Sequence, residues 1–196
     1  VRPRMSVTPK KSLGQHFLVD ENILGVIGRL ADLQPEDIVL EIGPGLGVLT
    51  RYLADRVAHV HAIELDRTLE VPLRAALVGR DNVDLVFGDA LALDLAALAP
   101  VPSKLVANLP YNIATPIVAE SLEGIPSLQR WCVMVQREVA DRFFAEPRTK
   151  AYGAVSVLIQ LMTRKVGFHP VPPTVFRPRP RVAVFTRVNV EYRPPR

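Results

Sequence analysis

Apolar residues along this chain follow two alternating rhythms. Short β-branched runs bounded by glycine, proline or acid read as buried strands, and stretches with apolar residues three and four apart read as helices. The pattern first predicts a helix from Glu21 to about Leu33, capped by Asp20 and ended by Pro35, with Ile23, Leu24, Ile27 and Leu30 on one face. A strand at 38–42 leads into a helix to about Arg56. A strand follows at 59–66, then a helix from Arg67 to about Leu77 with Pro72 in its first turns, and a strand at 83–90. A fourth strand covers 104–111, and Thr115-Pro116 opens a helix by the cap-then-proline rule. A fifth strand at 129–135 runs into a helix at 137–144. Residues 151–162 fit strand or helix, and their length favours helix. Segments 165–169 and 182–188 predict a closing two-stranded hairpin. Alternation of this kind gives an α/β fold, a mostly parallel sheet with helices on both faces.

The segment joining the first strand to the second helix carries chemistry. Three glycines, Gly43, Gly45 and Gly47, alternate with Pro44 and Leu46 straight after Ile42. Strand, glycine turn and helix open a nucleotide-binding βαβ unit, in which missing side chains let a ligand approach the backbone. A dinucleotide turn spaces its glycines G-x-G-x-x-G so that a pyrophosphate rests on the helix N-terminus. Here the third glycine comes one residue early, and Glu41 would repel a pyrophosphate while attracting a cation. The turn looks like the E-x-G-x-G-x-G turn of S-adenosylmethionine (SAM) methyltransferases, whose cofactor carries an ammonium and a sulfonium. The bland alternative is a turn that only packs strand on helix.

Further polar residues fall at strand ends, where open α/β sheets bind ligands. Glu64 ends the second strand about twenty residues after the turn, where a carboxylate receives ribose hydroxyls. Asp89 ends the third and could accept from an adenine amine, and Asn108 ends the fourth. Asn108-Leu109-Pro110-Tyr111 suits an exocyclic adenine amine, a poor nucleophile because its lone pair is delocalised into the ring. Acceptors at the Asn108 side-chain oxygen and the Leu109 carbonyl would leave electron density on that nitrogen. Pro110 stiffens the turn, and Tyr111 offers a face for a flipped base. No strong base is needed, so catalysis would be alignment plus electrostatics.

Charge narrows the partner. Residues 1–100 carry 10 Lys/Arg and 14 Asp/Glu, whereas 101–196 carry 14 and 6. The arginine-rich end, including Arg177, Arg179 and Arg181, together with N-terminal Lys10 and Lys11, suggests a face for nucleic acid phosphates, although a solvated surface is the simpler reading. The 196 residues suit one catalytic domain at 20–190, preceded by a flexible basic arm and cofactor-closing segment at 1–19 and followed by a tail at 191–196. No apolar run approaches the ~20 residues that span a bilayer. The single cysteine, Cys132, cannot form an internal disulfide, which fits a reduced, cytoplasmic setting, and a monomer is expected. The sequence shows no Cys/His cluster, so no metal is expected.

Read together, Ser12-Leu-Gly-Gln15-His16-Phe17-Leu18, Glu41-Ile-Gly-Pro-Gly-Leu-Gly47, Glu64-Leu65-Asp66, Gly88-Asp89-Ala90, Asn108-Leu-Pro-Tyr-Asn112, Gln136-Arg-Glu-Val-Ala, Ala151-Tyr-Gly153 and Phe176-Arg-Pro-Arg-Pro-Arg-Val182 resemble the rRNA adenine N6,N6-dimethyltransferase family, in its bacterial small-subunit branch. The resemblance runs from Lys10 to about Val188. It implies a Rossmann-like class I SAM-dependent methyltransferase with a seven-stranded sheet, acting on two adjacent adenosines in a hairpin near the 3′ end of small-subunit rRNA during ribosome biogenesis. By the same resemblance Gln15, His16, Leu18, Glu41, Gly43, Gly45, Gly47, Glu64, Leu65, Asp89, Ala90 and Asn108 form the cofactor site. His16 and Leu18 close over the cofactor, and Tyr111 and Phe176 sandwich the target adenine. Two departures stand out. The family usually reads Lys-Val-Asp-Ser where this chain has Arg181-Val-Ala-Val184. Its helical C-terminal domain is expected to be absent, because the sequence stops at Arg196.

Other classes remain as alternatives. They are a large-subunit rRNA methyltransferase of the antibiotic-resistance type, a non-catalytic SAM-binding assembly factor, an NAD-dependent oxidoreductase and a small-molecule methyltransferase. The early third glycine and the lack of an acid–base constellation disfavour the oxidoreductase, and the basic C-terminal face and N-L-P-Y disfavour the small-molecule enzyme.

Overall fold

The structure, a computed structural model, describes residues 10, 15–110, 112–178 and 185–192. Seven strands form the main sheet: β2 (Ile38–Ile42), β3 (His59–Glu64), β4 (Val83–Phe87), β5 (Lys104–Asn108), β6 (Arg130–Gln136), β7 (Thr163–Val171) and β9 (Phe185–Tyr192). Their order is β4-β3-β2-β5-β6-β9-β7, with β9 antiparallel to both neighbours and the β4-to-β6 block parallel. The expected closing hairpin is therefore present with longer arms, and β9 inserts between β6 and β7. A separate two-stranded ribbon, which the pattern did not predict, pairs β1 (Phe17–Leu18) with β8 (Phe176–Arg177).

The strands read as nearly unbroken apolar runs because helices cover both faces. On one face Leu40, Ile42, Ile63, Leu105, Ala107 and Val133 pack against α4 (Ala114–Gly124), α5 (Arg137–Phe143) and α6 (Ala154–Met162). On the other, Val39, Val60, Val106, Cys132 and Met134 pack against α1 (Asn22–Ala31) and α2 (Val48–Ala54). The ambiguous 151–162 stretch is helix α6, since its buried Ile159 joins the first core.

Three helix boundaries differ from the pattern for local reasons. Helix α1 ends before Pro35 because Asp32 takes a left-handed conformation (φ 50°) that closes the last turn. Asp20 accepts the Asn22 N–H, although the residue at the helix boundary is Glu21. The helix expected from Arg67 opens as a 3-10 turn at Arg67–Leu69 under an Asp66 cap and becomes α3 (Glu70–Ala76), with Pro72 in its first turn, where an N–H would have no intrahelical acceptor. Thr115 lies inside α4 rather than capping it.

Candidate active site

The chain runs outward from β2 through β3 to β4 and then returns to β5 on the other side of β2. That reversal opens a crevice beyond the carboxyl ends of β2 and β5, the place where open sheets receive ligands. A cavity of about 210 Å³ occupies it. Its floor is the Gly43–Leu46 turn, one wall carries Glu64, Leu65, Asp89 and Ala90, and Asn108, Leu109 and Pro110 form the opposite wall. Gln15, His16, Phe17 and Leu18 complete the rim.

The turn leaves no space for side chains. At Gly43 (φ +76°) a Cβ would lie 3.3 Å from Pro110 Cδ, and at Gly45 (φ +60°) 2.9 Å from the Phe17 ring. Both positions need glycine for conformation and for close approach. Gly47 also has positive φ but faces Leu73, behind the cavity. Its role is to start α2, which corrects its expected place among the cofactor contacts.

Two buried carboxylates differ in their partners. Glu64 Oε2 accepts the Gly45 N–H at 3.0 Å and Oε1 the Asp66 N–H at 2.8 Å. Burial raises its carboxyl above the ordinary range, and those two N–H groups oppose the rise. Glu41 is 1% exposed, and its Oε2 has no hydrogen bond. Burial pushes its carboxyl up to about 8; the nearby Thr50 hydroxyl opposes this without reaching hydrogen-bonding geometry, and the Glu64 charge adds to it. A buried acid with an unsatisfied oxygen beside a glycine turn suits a cationic ligand group, because the incoming charge would favour the ionised form. The residues thus fit a ligand of SAM's chemistry. Asp89 is exposed, with Oδ1 accepting the Leu91 N–H at 3.0 Å, which leaves its other oxygen for a ligand amine.

At the opposite wall the Asn108 side-chain nitrogen donates to the His16 carbonyl at 3.0 Å, leaving Oδ1 as the side-chain acceptor. The Leu109 N–H is held by the Met134 carbonyl at 3.1 Å. Tyr111 lies outside the described residues.

The rim is held by a residue that sequence reasoning noted only as a strand-end acid. Asp66 accepts Lys10 Nζ at 2.7 Å and Gln15 Nε2 at 2.9 Å, and also caps Thr68. Burial would raise its carboxyl, but the donors from Lys10, Thr68 and Gln15 outweigh that and hold it well below the usual range. Gln15 Oε1 accepts the Lys10 backbone N–H at 2.8 Å, so both ends of that side chain are engaged in anchoring. Lys10 Nζ thus pairs with Asp66 while its side chain stays 42% exposed. Lys11, Arg179 and Arg181 lie outside the described residues, and Arg177 is exposed. Phe176 is also a correction: it is fully buried in the core with Val171 and Val175, and pairs through β8 with Leu18. It presents no face to a base and instead supports the strand that forms the rim.

A family model described as ribosomal RNA adenine dimethylase matches residues 7–194. The chain belongs to that family. It is 52% identical over 174 residues to ribosomal RNA small subunit methyltransferase A of Rubrobacter xylanophilus, covering 89% of this chain and 66% of the relative. It is 48% identical to the protein of that name from Moorella thermoacetica, covering 90% and 65%. The chain therefore spans just under two thirds of the length of these relatives. Among solved structures it resembles a dimethyladenosine transferase from Plasmodium falciparum (TM-score 0.77, 27% identity, 91% of this chain and 64% of that one). It also resembles the 23S rRNA methyltransferase ErmE (TM-score 0.74, 33% identity, 91% and 70%). These likenesses bear out the Rossmann-like methyltransferase fold. No helix among the described residues is long and apolar enough to cross a membrane.

Proposed function

We propose that this chain binds SAM in the crevice and methylates N6 of adenosines in rRNA, with two adjacent adenosines near the 3′ end of small-subunit rRNA as targets. The observation that carries the reading is the pairing of two walls. One offers acids at the ends of β3 and β4, and the other holds Asn108 by its amide nitrogen with its oxygen left as an acceptor. Bound SAM would supply an electrophilic methyl group on a sulfonium. Glu64 and Asp89 would receive ribose hydroxyls and the adenine amine, and Glu41 would balance the cationic methionine end. Asn108 Oδ1 and the Leu109 carbonyl would accept from the target amine and align it, contributions of orientation and electrostatics rather than base catalysis. Tyr111 supplies the flat face for the base. The arginine-rich C-terminal stretch would contact phosphates, in a cytoplasmic monomer with the catalytic domain at 20–190.

The test is transfer of labelled methyl from SAM to unmethylated small and large ribosomal subunits, followed by nucleoside analysis. Labelled N6,N6-dimethyladenosine from the small subunit is expected. Label on the large subunit alone would transfer the assignment to the other rRNA. No label with SAM binding retained would leave a cofactor-binding core without turnover. SAM but not NAD should raise the melting temperature, because a ligand that binds only the folded state stabilises it.

A further inference from the structure

The amino ends of β3 and β4, opposite the cavity, hold a side-chain cluster that the proposed reaction does not use. His59 and His61 are two residues apart on β3, so their side chains emerge on one face of the sheet. Asp84 stands opposite His61 in the parallel pairing of β4 with β3. His59 Nε2 lies 2.9 Å from Asp84 Oδ2, and His61 Nδ1 lies 3.6 Å from the same oxygen. The three atoms are within 4.8 Å of one another.

His61 carries the deciding detail. Its side chain is 1% exposed, and Nε2 lies 2.7 Å from the Pro100 carbonyl oxygen. A carbonyl only accepts, so Nε2 bears a proton, and Nδ1 is the ring nitrogen left to meet a ligand. That nitrogen is buried, makes no hydrogen bond, and has the Asp84 carboxylate as its neighbour. A buried acceptor without a donor is costly in a structural cluster. It is the arrangement expected of a metal ligand, because ligating histidines usually donate their other N–H to a carbonyl or carboxylate that fixes the tautomer and ring orientation.

We propose that His59, His61 and Asp84 form a binding site for a divalent transition metal of the zinc type. Two imidazoles and a carboxylate favour zinc or cobalt over magnesium or calcium, which prefer all-oxygen shells. Zinc binds such donors at ~2.1 Å in a tetrahedron, which sets them about 3.4 Å apart. The two nitrogen-to-carboxylate distances, 2.9 and 3.6 Å, bracket that value, and the two ring nitrogens lie within 4.8 Å of each other. Asp84 is 54% exposed, so the cluster borders solvent and water would complete the shell. Because β4 is the edge strand, the metal would clip it to β3, and the far ends of these two strands lead to Glu64 and Asp89. The site is structural and separate from methyl transfer.

The test uses the tag-free full chain, titrated with Co2+ alone and followed by visible absorption, then by displacement with Zn2+ and by melting. One equivalent of metal should bind, with bands of four- or five-coordinate cobalt, and Zn2+ should raise the melting temperature. His59→Ala and Asp84→Asn alter partly exposed side chains, and each should weaken binding by at least about tenfold. His169→Ala, on β7 at the other edge of the sheet, should bind as the parent does. Absence of stoichiometric binding, or equal affinity in the His59 and Asp84 variants, overturns the proposal.

Discussion

At its carboxyl end β3 delivers Glu64, whose two oxygens each accept a backbone N–H. At its amino end the same strand delivers His59 and His61 beside Asp84, and there one buried nitrogen has no hydrogen bond. Strand alternation separates the two sets as well: Glu64 faces one side of the sheet, and the histidines face the other. The crevice end contains the same contrast in miniature, since each Glu64 oxygen already accepts one backbone N–H while Glu41, on the adjacent strand, keeps an oxygen without a hydrogen bond. A group tied by backbone donors positions the turn and meets a ligand with the lone pairs that remain. A group left open is available to a ligand, and that difference can be tested residue by residue.

The largest effect should come from Asn108→Ala. With its aligning acceptor gone, methyl transfer should fall by about 10²-fold or more, the scale of losing one preorganised transition-state contact. Binding of SAM, followed by calorimetry, should stay within a few-fold; comparable loss of both would reassign Asn108 to cofactor binding.

Glu64→Ala should act in the reverse sense. Removing hydrogen bonds to a charged group costs roughly 1.5–3 kcal/mol, or about 10- to 150-fold in affinity for SAM. The turn should loosen as well, since the Gly45 and Asp66 N–H groups lose their acceptor. Unchanged SAM affinity would mean that Glu64 holds the turn without receiving the ribose.

Glu41 sharpens that division through pH. The unfolded chain ionises this group near 4.5, whereas the folded chain holds its proton to about 8. The folded pKa is raised, so the stability it contributes is full below about 4.5 and is lost as pH climbs toward 8. Glu64 shifts in the same direction, and Asp66 in the opposite one. Melting of the ligand-free protein between pH 5 and 8 should therefore show a decline that Glu41→Gln flattens. A variant with the parent's slope would locate the pH dependence elsewhere.

The smallest effects belong to the rim. Asp66→Ala removes the acceptor for Lys10, Gln15 and Thr68, and should lower stability by about 1–3 kcal/mol, with faster amide exchange at residues 15–18. Lys10→Ala removes one half-exposed ion pair and should cost no more than ~1 kcal/mol. A larger cost for Lys10 than for Asp66 would mean that the rim is held by other contacts.

Much of the fold was legible because its causes are local. Period-2 and period-3.6 apolar patterns, the glycine turn and the strand-end acids located β2 to β6 and most of the cavity lining. The N-terminal segment was legible only as a motif. Phe176 reads as a base platform until the chain folds. Asp66 then pairs with Lys10, and β1–β8 pairing buries the ring. Both outcomes depend on partners 56 and about 160 residues away.

The sequence by itself determined the α/β class, the crevice turn and the identity of Glu41, Glu64, Asp89 and Asn108, because periodicity and turn chemistry act over a few residues. Tertiary structure alone decided which carboxylate is tied and which is open, what closes the rim, and that His59, His61 and Asp84 meet. Those facts depend on strand register and on desolvation, and both exist only once distant segments are packed together.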